Sequence, residues 1–205
     1  NYRLNKEDMN QLIDRREALR KTALLMGAAV SATAIAGIMN GCKATPDLNY
    51  KPVFFNEDQA RIISELAEII LPKSDTPGAK EVGVPNFIDT IVNENYEKED
   101  QERFIAGLTA FEEDAKKTYG DGFIYCKPED QIALVKKSLG AAIQEKKENT
   151  ATKKPFILMA KELTMLGYFT SEPGATKVLQ YEAVPTKYNG CIPLNEAGNG
   201  KTWAT

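Results

Sequence analysis

Between Asn56 and Leu179 the large apolar side chains recur three and four positions apart, and almost nowhere at every second position. That spacing gathers side chains onto one side of a helix, whereas a half-buried strand needs a period of two. Val, Ile and Thr do not alternate with polar residues over strand lengths. The expected class is therefore all-α: a small array of five to six helices with long Pro/Gly-rich loops and an extended C-terminal tail.

The stops and starts are local. Asn56 is placed to cap a first helix, with Glu57 and Asp58 in the first turn, where the helix dipole favours acidic groups. Ile62, Leu66 and Ile69, with Ile63, Ala67 and Ile70, form its apolar face, and Pro72 ends it. Residues 72–84 contain Pro72, Pro77, Gly78 and Gly83 and read as a loop. Within it, Asp75-Thr76-Pro77-Gly78 has turn chemistry: Asp caps, Pro fixes φ and Gly permits positive φ. A loop of this length in a small helical protein is often functional, so Asp75, Thr76, Pro77 and Gly78 are docking candidates.

Pro85 suits the first turn of a second helix carrying Phe87, Ile88, Ile91 and Val92. A third runs from about Asp100 to Tyr119, with Phe104, Leu108, Phe111 and Ala115 inward and Gly120 as its stop. Cys126 falls in the next loop. Lys127-Pro128-Glu129-Asp130 opens a fourth helix, with Ile132, Val135, Leu139 and Ile143 at helical spacing. A fifth begins near Pro155 and runs through Leu158, Leu163 and Leu166 towards Phe169, and a short sixth covers roughly Gly174 to Leu179. From Tyr181 the chain is extended. Tyr168, Phe169 and Tyr181 read either as docking surface or as core, with core the better reading for Phe169.

The first forty residues differ from the rest. Arg15-Arg16 precedes a run from Thr22 to Ile38 without a charge, rich in Ala and broken by Gly27 and Gly37. A positive region, an uncharged run and a small-residue end make an export signal. Paired arginines before a mildly apolar core point to the twin-arginine route, which carries folded proteins. Ala18 and Leu19 depart from the usual pattern, which has an aromatic residue before the leucine. The run is also at the short end of what a membrane span needs, so a retained, weak span is the alternative. Cys42, preceded by Gly41, stands where a lipoprotein cysteine would stand, although Asn40 is atypical. The other reading is an ordinary thiol just past a cleavage site. Acylation there would give a membrane anchor, each buried methylene contributing about 0.8 kcal/mol. The expected organisation is a leader over 1–41, a linker over 42–55, a helical domain over 56–194 and a tail over 195–205. An exported chain meets an oxidising compartment, so Cys126 and Cys191 read either as a disulfide or as two reduced thiols.

What the chain lacks is as informative. It has no histidine among its 205 residues. That excludes a His general base, a Ser–His or Cys–His pair, a His metal ligand and a covalent haem site of its own. Three scattered cysteines cannot make a four-thiolate metal site. Asn195 stands where a phosphate-binding loop ending in Gly200-Lys201-Thr202 would need Gly, and there is no G-x-G-x-x-G. The balance of 26 Lys+Arg against 29 Asp+Glu argues against a nucleic-acid binder. Pairs such as Glu112/Glu113 and Glu129/Asp130 read as solvated helix faces or helix starts. No catalytic, cofactor-binding or metal-binding residue is assigned to this chain.

Ile70-Leu71-Pro72-Lys73-Ser74-Asp75-Thr76-Pro77-Gly78-Ala79, with Gly83-Val84-Pro85 and Phe87-Ile88-Asp89 after it, resembles the gluconate 2-dehydrogenase subunit 3 family. So do Gly167-Tyr168-Phe169-Thr170-Ser171-Glu172-Pro173-Gly174-Ala175 and the stretch from Tyr181-Glu182-Ala183-Val184-Pro185 to Tyr188-Asn189-Gly190-Cys191-Ile192-Pro193-Leu194. The resemblance spans about residues 54–194 and leaves the charged segment 144–154 unmatched. It implies a noncatalytic small subunit of an exported sugar or alcohol dehydrogenase. The partner implied is a large FAD-dependent subunit of the glucose–methanol–choline type, with a cytochrome c subunit carrying haem c often present as a third. The twin-arginine leader would then serve both proteins, with Cys42 or an uncleaved leader holding them at the membrane of the cell envelope. The alternative is a free-standing helical envelope lipoprotein that binds a ligand or another envelope protein.

Overall fold

The computed structural model describes residues 45–148, 153–184, 190–196 and 200–204. Arg15, Arg16 and Cys42 lie outside the described residues. The described chain is helical, with α1 (Glu57–Ile70), α2 (Val84–Asn95), α3 (Lys98–Tyr119), α4 (Pro128–Lys147) and α5 (Phe156–Thr170). A 3-10 turn, Phe123–Tyr125, precedes α4, and a π turn, Gly174–Val178, follows α5. Its one β feature, among the described residues, is an isolated bridge between Gln180 and Trp203. The all-α expectation holds.

The helix ends follow their sequence cues. Asn56 caps α1 in a full capping box: its side chain accepts from Gln59 N at 2.9 Å, and Gln59 Oε1 accepts from Asn56 N at 3.1 Å. Pro85 lies in the first turn of α2, and Gly120 closes α3 at φ 79. That left-handed conformation favours glycine over a side chain. The helix read from Asp100 starts two residues earlier, at Lys98.

α5 is the central element, in contact with all four other helices. Hence it is apolar almost all round, burying Phe156, Ile157, Met159, Ala160, Leu163, Thr164, Gly167 and Tyr168. Two glycines let it sit close. A Cβ at Gly107 would collide with Phe156, and one at Gly167 would collide with the Phe87 ring. An aromatic cluster fills the space between α3 and α5, with ring centroids 4.9 Å apart for Phe104–Phe156 and for Phe111–Phe123. Each such ring, when buried, contributes roughly 1.5–3 kcal/mol.

Packing settles which apolar positions face inward, and it changes one expectation, the linker. The inward face of α4 is Leu134, Val135 and Ala142, with Leu139 packed beside them, while Ile132 and Ile143 are about 40% exposed. On α5, Leu166 points outward, 50% exposed. The segment expected to be a linker up to residue 55 is, from residue 46 onward, a strap laid on the helices. Arg61 Nε donates to Pro46 O at 3.2 Å while its other nitrogens pair with Glu57 and Asp58. The Asp89 carboxylate of α2, fully buried, accepts from the backbone N–H of Val53, Phe54 and Phe55 at 2.6, 3.1 and 2.9 Å. Phe55 joins the aromatic core, 5.7 Å from Phe104.

Candidate docking surface

The loop between α1 and α2 is shaped from below by a carboxylate. Glu68, on the last turn of α1, accepts from Lys73 N at 3.0 Å and from Lys80 N at 2.9 Å, so one side chain holds both limbs. Ala79 N donates to Leu71 O at 2.9 Å and closes the base. Gly78 sits directly over Glu68, where any Cβ would strike the carboxylate. Gly83, at φ 82, turns the chain into α2. Lys80 Nζ reaches Glu65 at 2.5 Å, and Lys73 Nζ reaches Glu81 at 2.8 Å. The hydrogen bond to Glu81 raises the Lys73 ammonium above its ordinary pKa. Prolines and clamped backbone limit the entropy that this loop could lose on binding.

The second stretch meets the first. Tyr168, 4% exposed at the end of α5, donates its hydroxyl to Pro77 O at 2.8 Å and lies 3.4 Å from Thr76 Oγ1. Below it, Ser171 Oγ donates to Tyr168 O at 2.6 Å and accepts from Gly174 N at 3.1 Å. A side chain at Gly174 would hit that same carbonyl. Residues 91 positions apart are thus bonded, and they belong to the two stretches that carry the sequence resemblance.

The sequence candidates divide accordingly. Tyr168 and Gly78 are buried and scaffold the loop, so a partner would not touch them. Thr76 and Pro77 are half-buried beneath it. Asp75 is exposed with Pro72, Lys73 and Ser74. Phe169 is half-buried, its ring edge-on to Tyr168 at 5.3 Å. Tyr181 is 56% exposed. Glu68 and Asp89 emerge from the structure as organising residues. Their sequence signal is faint: a carboxylate within or beside an apolar helical face, next to a segment rich in Pro or aromatic residues.

The tail begins at the π turn. Gln180 N donates to Thr202 O at 2.7 Å, Ala204 N to Gln180 O at 2.8 Å, and Lys201 Nζ to Lys177 O at 2.6 Å. Residues 202–204 therefore fold back on residue 180. Along the way Tyr181, Val184, Ile192, Leu194 and Trp203 are 56, 73, 39, 55 and 45% exposed. Cys126 and Cys191 are not joined. Cys191 is an exposed thiol in this tail, whereas half-buried Cys126 Sγ donates to Asp121 O and Gly122 O at the 3-10 turn.

A family model described as Gluconate 2-dehydrogenase subunit 3 matches residues 57–186. The chain belongs to this family. The match starts at the first residue of α1 and takes in the Glu68-clamped loop, Tyr168 and the start of the tail. No curated protein and no solved structure matches the chain. Subunit 3 is by its family an accessory subunit of a multi-subunit dehydrogenase. Among the described residues no group of three or more His, Cys, Asp or Glu is placed to hold a metal, and no helix is long and apolar enough to cross a membrane.

Proposed function

We propose that this subunit 3 chain is the noncatalytic partner of a large FAD-dependent dehydrogenase subunit acting on sugar or alcohol CH–OH groups. It docks through the exposed rim of the 72–75 loop and through the tail. The observation that carries this reading is the tail itself: five large apolar side chains, from Tyr181 to Trp203, stand outside the core. Large apolar side chains left outside the core over one stretch of sequence gain from burial against another protein. The clamped loop adds a surface already in shape before binding, which lowers the cost of association.

The Arg15-Arg16 leader escorts the folded flavoprotein through the twin-arginine route into the periplasm, and Cys42 anchors the pair at the membrane. FAD belongs to the partner, as does haem c where a cytochrome subunit completes the complex. The test is a double substitution, Arg15→Lys with Arg16→Lys, followed by fractionation. The flavoprotein should remain in the cytoplasm; its arrival in the periplasm in normal amount would refute the escort. A Tyr181→Ser and Trp203→Ser chain should keep its thermal stability yet lose at least tenfold in affinity for the flavoprotein. Unchanged affinity would remove the tail from the interface.

A further inference from the structure

We infer that α4 pairs with α4 of a second copy of this chain, antiparallel and about a two-fold axis, through the side opposite its buried face. The pairing is separate from docking on the flavoprotein, since it uses neither the 72–75 rim nor the tail. α4 buries Leu134, Val135 and Ala142. On its other side Glu129, Ala133, Lys136, Gly140, Ile143 and Lys147 are all exposed. They follow one another at steps of four and three, so they line one face of the helix. Ile132 and Ile143, 40 and 39% exposed, bring apolar surface to it.

Two features of this face are unexplained by contacts among the described residues. Gly140 sits inside the helix, where glycine is less stable than alanine. Yet a Cβ there would meet nothing within 4 Å, and its φ is not positive. From Ile143 to Lys147 every residue is exposed, so the last turn of α4 runs on with no buried side chain. Helical turns in proteins draw most of their stability from packing. A second helix lying on this face would use the space over Gly140 and support that turn.

Charge decides the occupant and its direction. The first turn of α4 carries Glu129 and Asp130, and the last turn carries Lys146 and Lys147. A parallel copy would set Glu129 on Glu129 and Lys147 on Lys147. An antiparallel copy, centred at the level of Ser138, sets each Glu129 beside the other copy's Lys147. It also sets each Ala133 beside the other copy's Ile143, and each Lys136 stem over the other copy's Gly140. One face thus serves both copies, as a two-fold contact requires. The opposed helix dipoles favour the same direction. One helix pair is a small interface, so the dimer should dissociate at concentrations on the order of micromolar.

The test is sedimentation equilibrium of the full chain in density-matched detergent across the micromolar range. The mass should rise from 22.7 kDa towards twice that value. Glu129→Lys and Lys147→Glu should each weaken the dimer at least tenfold. Mixed together, those two variants should pair with each other at least as tightly as wild type, because every changed charge then faces its opposite. That recovery also shows that both variants are folded. Gly140→Leu, for which the single chain has room, should abolish the dimer without lowering the melting temperature of the dilute chain. A chain that stays at 22.7 kDa throughout overturns the pairing. So does a dimer indifferent to Gly140→Leu, or a mixture of the two charge variants that pairs no better than either alone.

Discussion

Asp89 offers the sharpest test of how the strap is held. Its Oδ1 accepts from Phe54 N and Phe55 N, and its Oδ2 accepts from Val53 N. Asp89→Asn keeps one carbonyl oxygen, which can serve the first two. The new amide nitrogen then faces Val53 N–H donor to donor. One charge-assisted bond, worth about 1.5–3 kcal/mol, is lost and the other two become neutral. The expected cost is about 2–4 kcal/mol. Asp89→Ala orphans all three donors and leaves a small void, at about 3–5 kcal/mol. For a domain of this size each kcal/mol corresponds to roughly 2–4 °C in Tm. Thermal unfolding followed by circular dichroism should therefore show the order wild type, Asn, Ala, with the Asn variant lower by about 4–16 °C. The loss should be local at first, so hydrogen exchange at Phe54 and Phe55 should accelerate before that of α3 or α5. An Asn variant as stable as wild type, with slow exchange at those two amides, would refute the account of the strap.

Tyr168→Phe removes only the hydroxyl that meets Pro77 O and should cost about 1–2 kcal/mol in stability, with a larger fractional loss of partner affinity, measured by melting and by titration with the flavoprotein. Gly78→Ala forces its methyl group against Glu68, whose displacement frees Lys73 N and Lys80 N; about 1–3 kcal/mol should be lost, visible in melting and as faster proteolysis within 72–80. Asp114 is held below its ordinary pKa of 3.8, chiefly by its hydrogen bond from Lys137. A depressed acid contributes stability that is present above 3.8 and fades as pH falls through the lower folded value. The small Tm gap between wild type and Lys137→Gln should thus be open at pH 7 and close as pH falls below 3.8.

Much of the fold was legible because α1, α2 and α3 each carry one dominant apolar face and clear end signals. α4 was not, because two apolar seams overlap on it. Ile132, Val135, Leu139 and Ile143 share a spacing with Leu134, Val135 and Ala142, and periodicity cannot choose between seams one residue apart. Packing selects the second, in which Leu134, Val135 and Ala142 are buried. α5 hid its outward side for the opposite reason: nearly every position is apolar, so Leu166 could not be told from Leu163. The strap escaped notice because its bonds are long-range, 34 to 36 residues from Val53–Phe55 to Asp89, and no local pattern encodes them. The candidate docking residues share two stretches of sequence, and their separate roles were not legible there. Only the Tyr168–Pro77 bond shows that Tyr168 builds the loop rather than presents itself.

The central claim is that subunit 3 works as a docked accessory to a flavoprotein. Its most direct test is gentle purification of the tagged full chain from the membranes of its own cells, with mass spectrometry and an absorbance spectrum. A large FAD-bearing dehydrogenase subunit should co-purify in stoichiometric amount and be lost from the Tyr181→Ser, Trp203→Ser chain. A chain that purifies alone, or that itself binds flavin and oxidises sugars, would contradict the account.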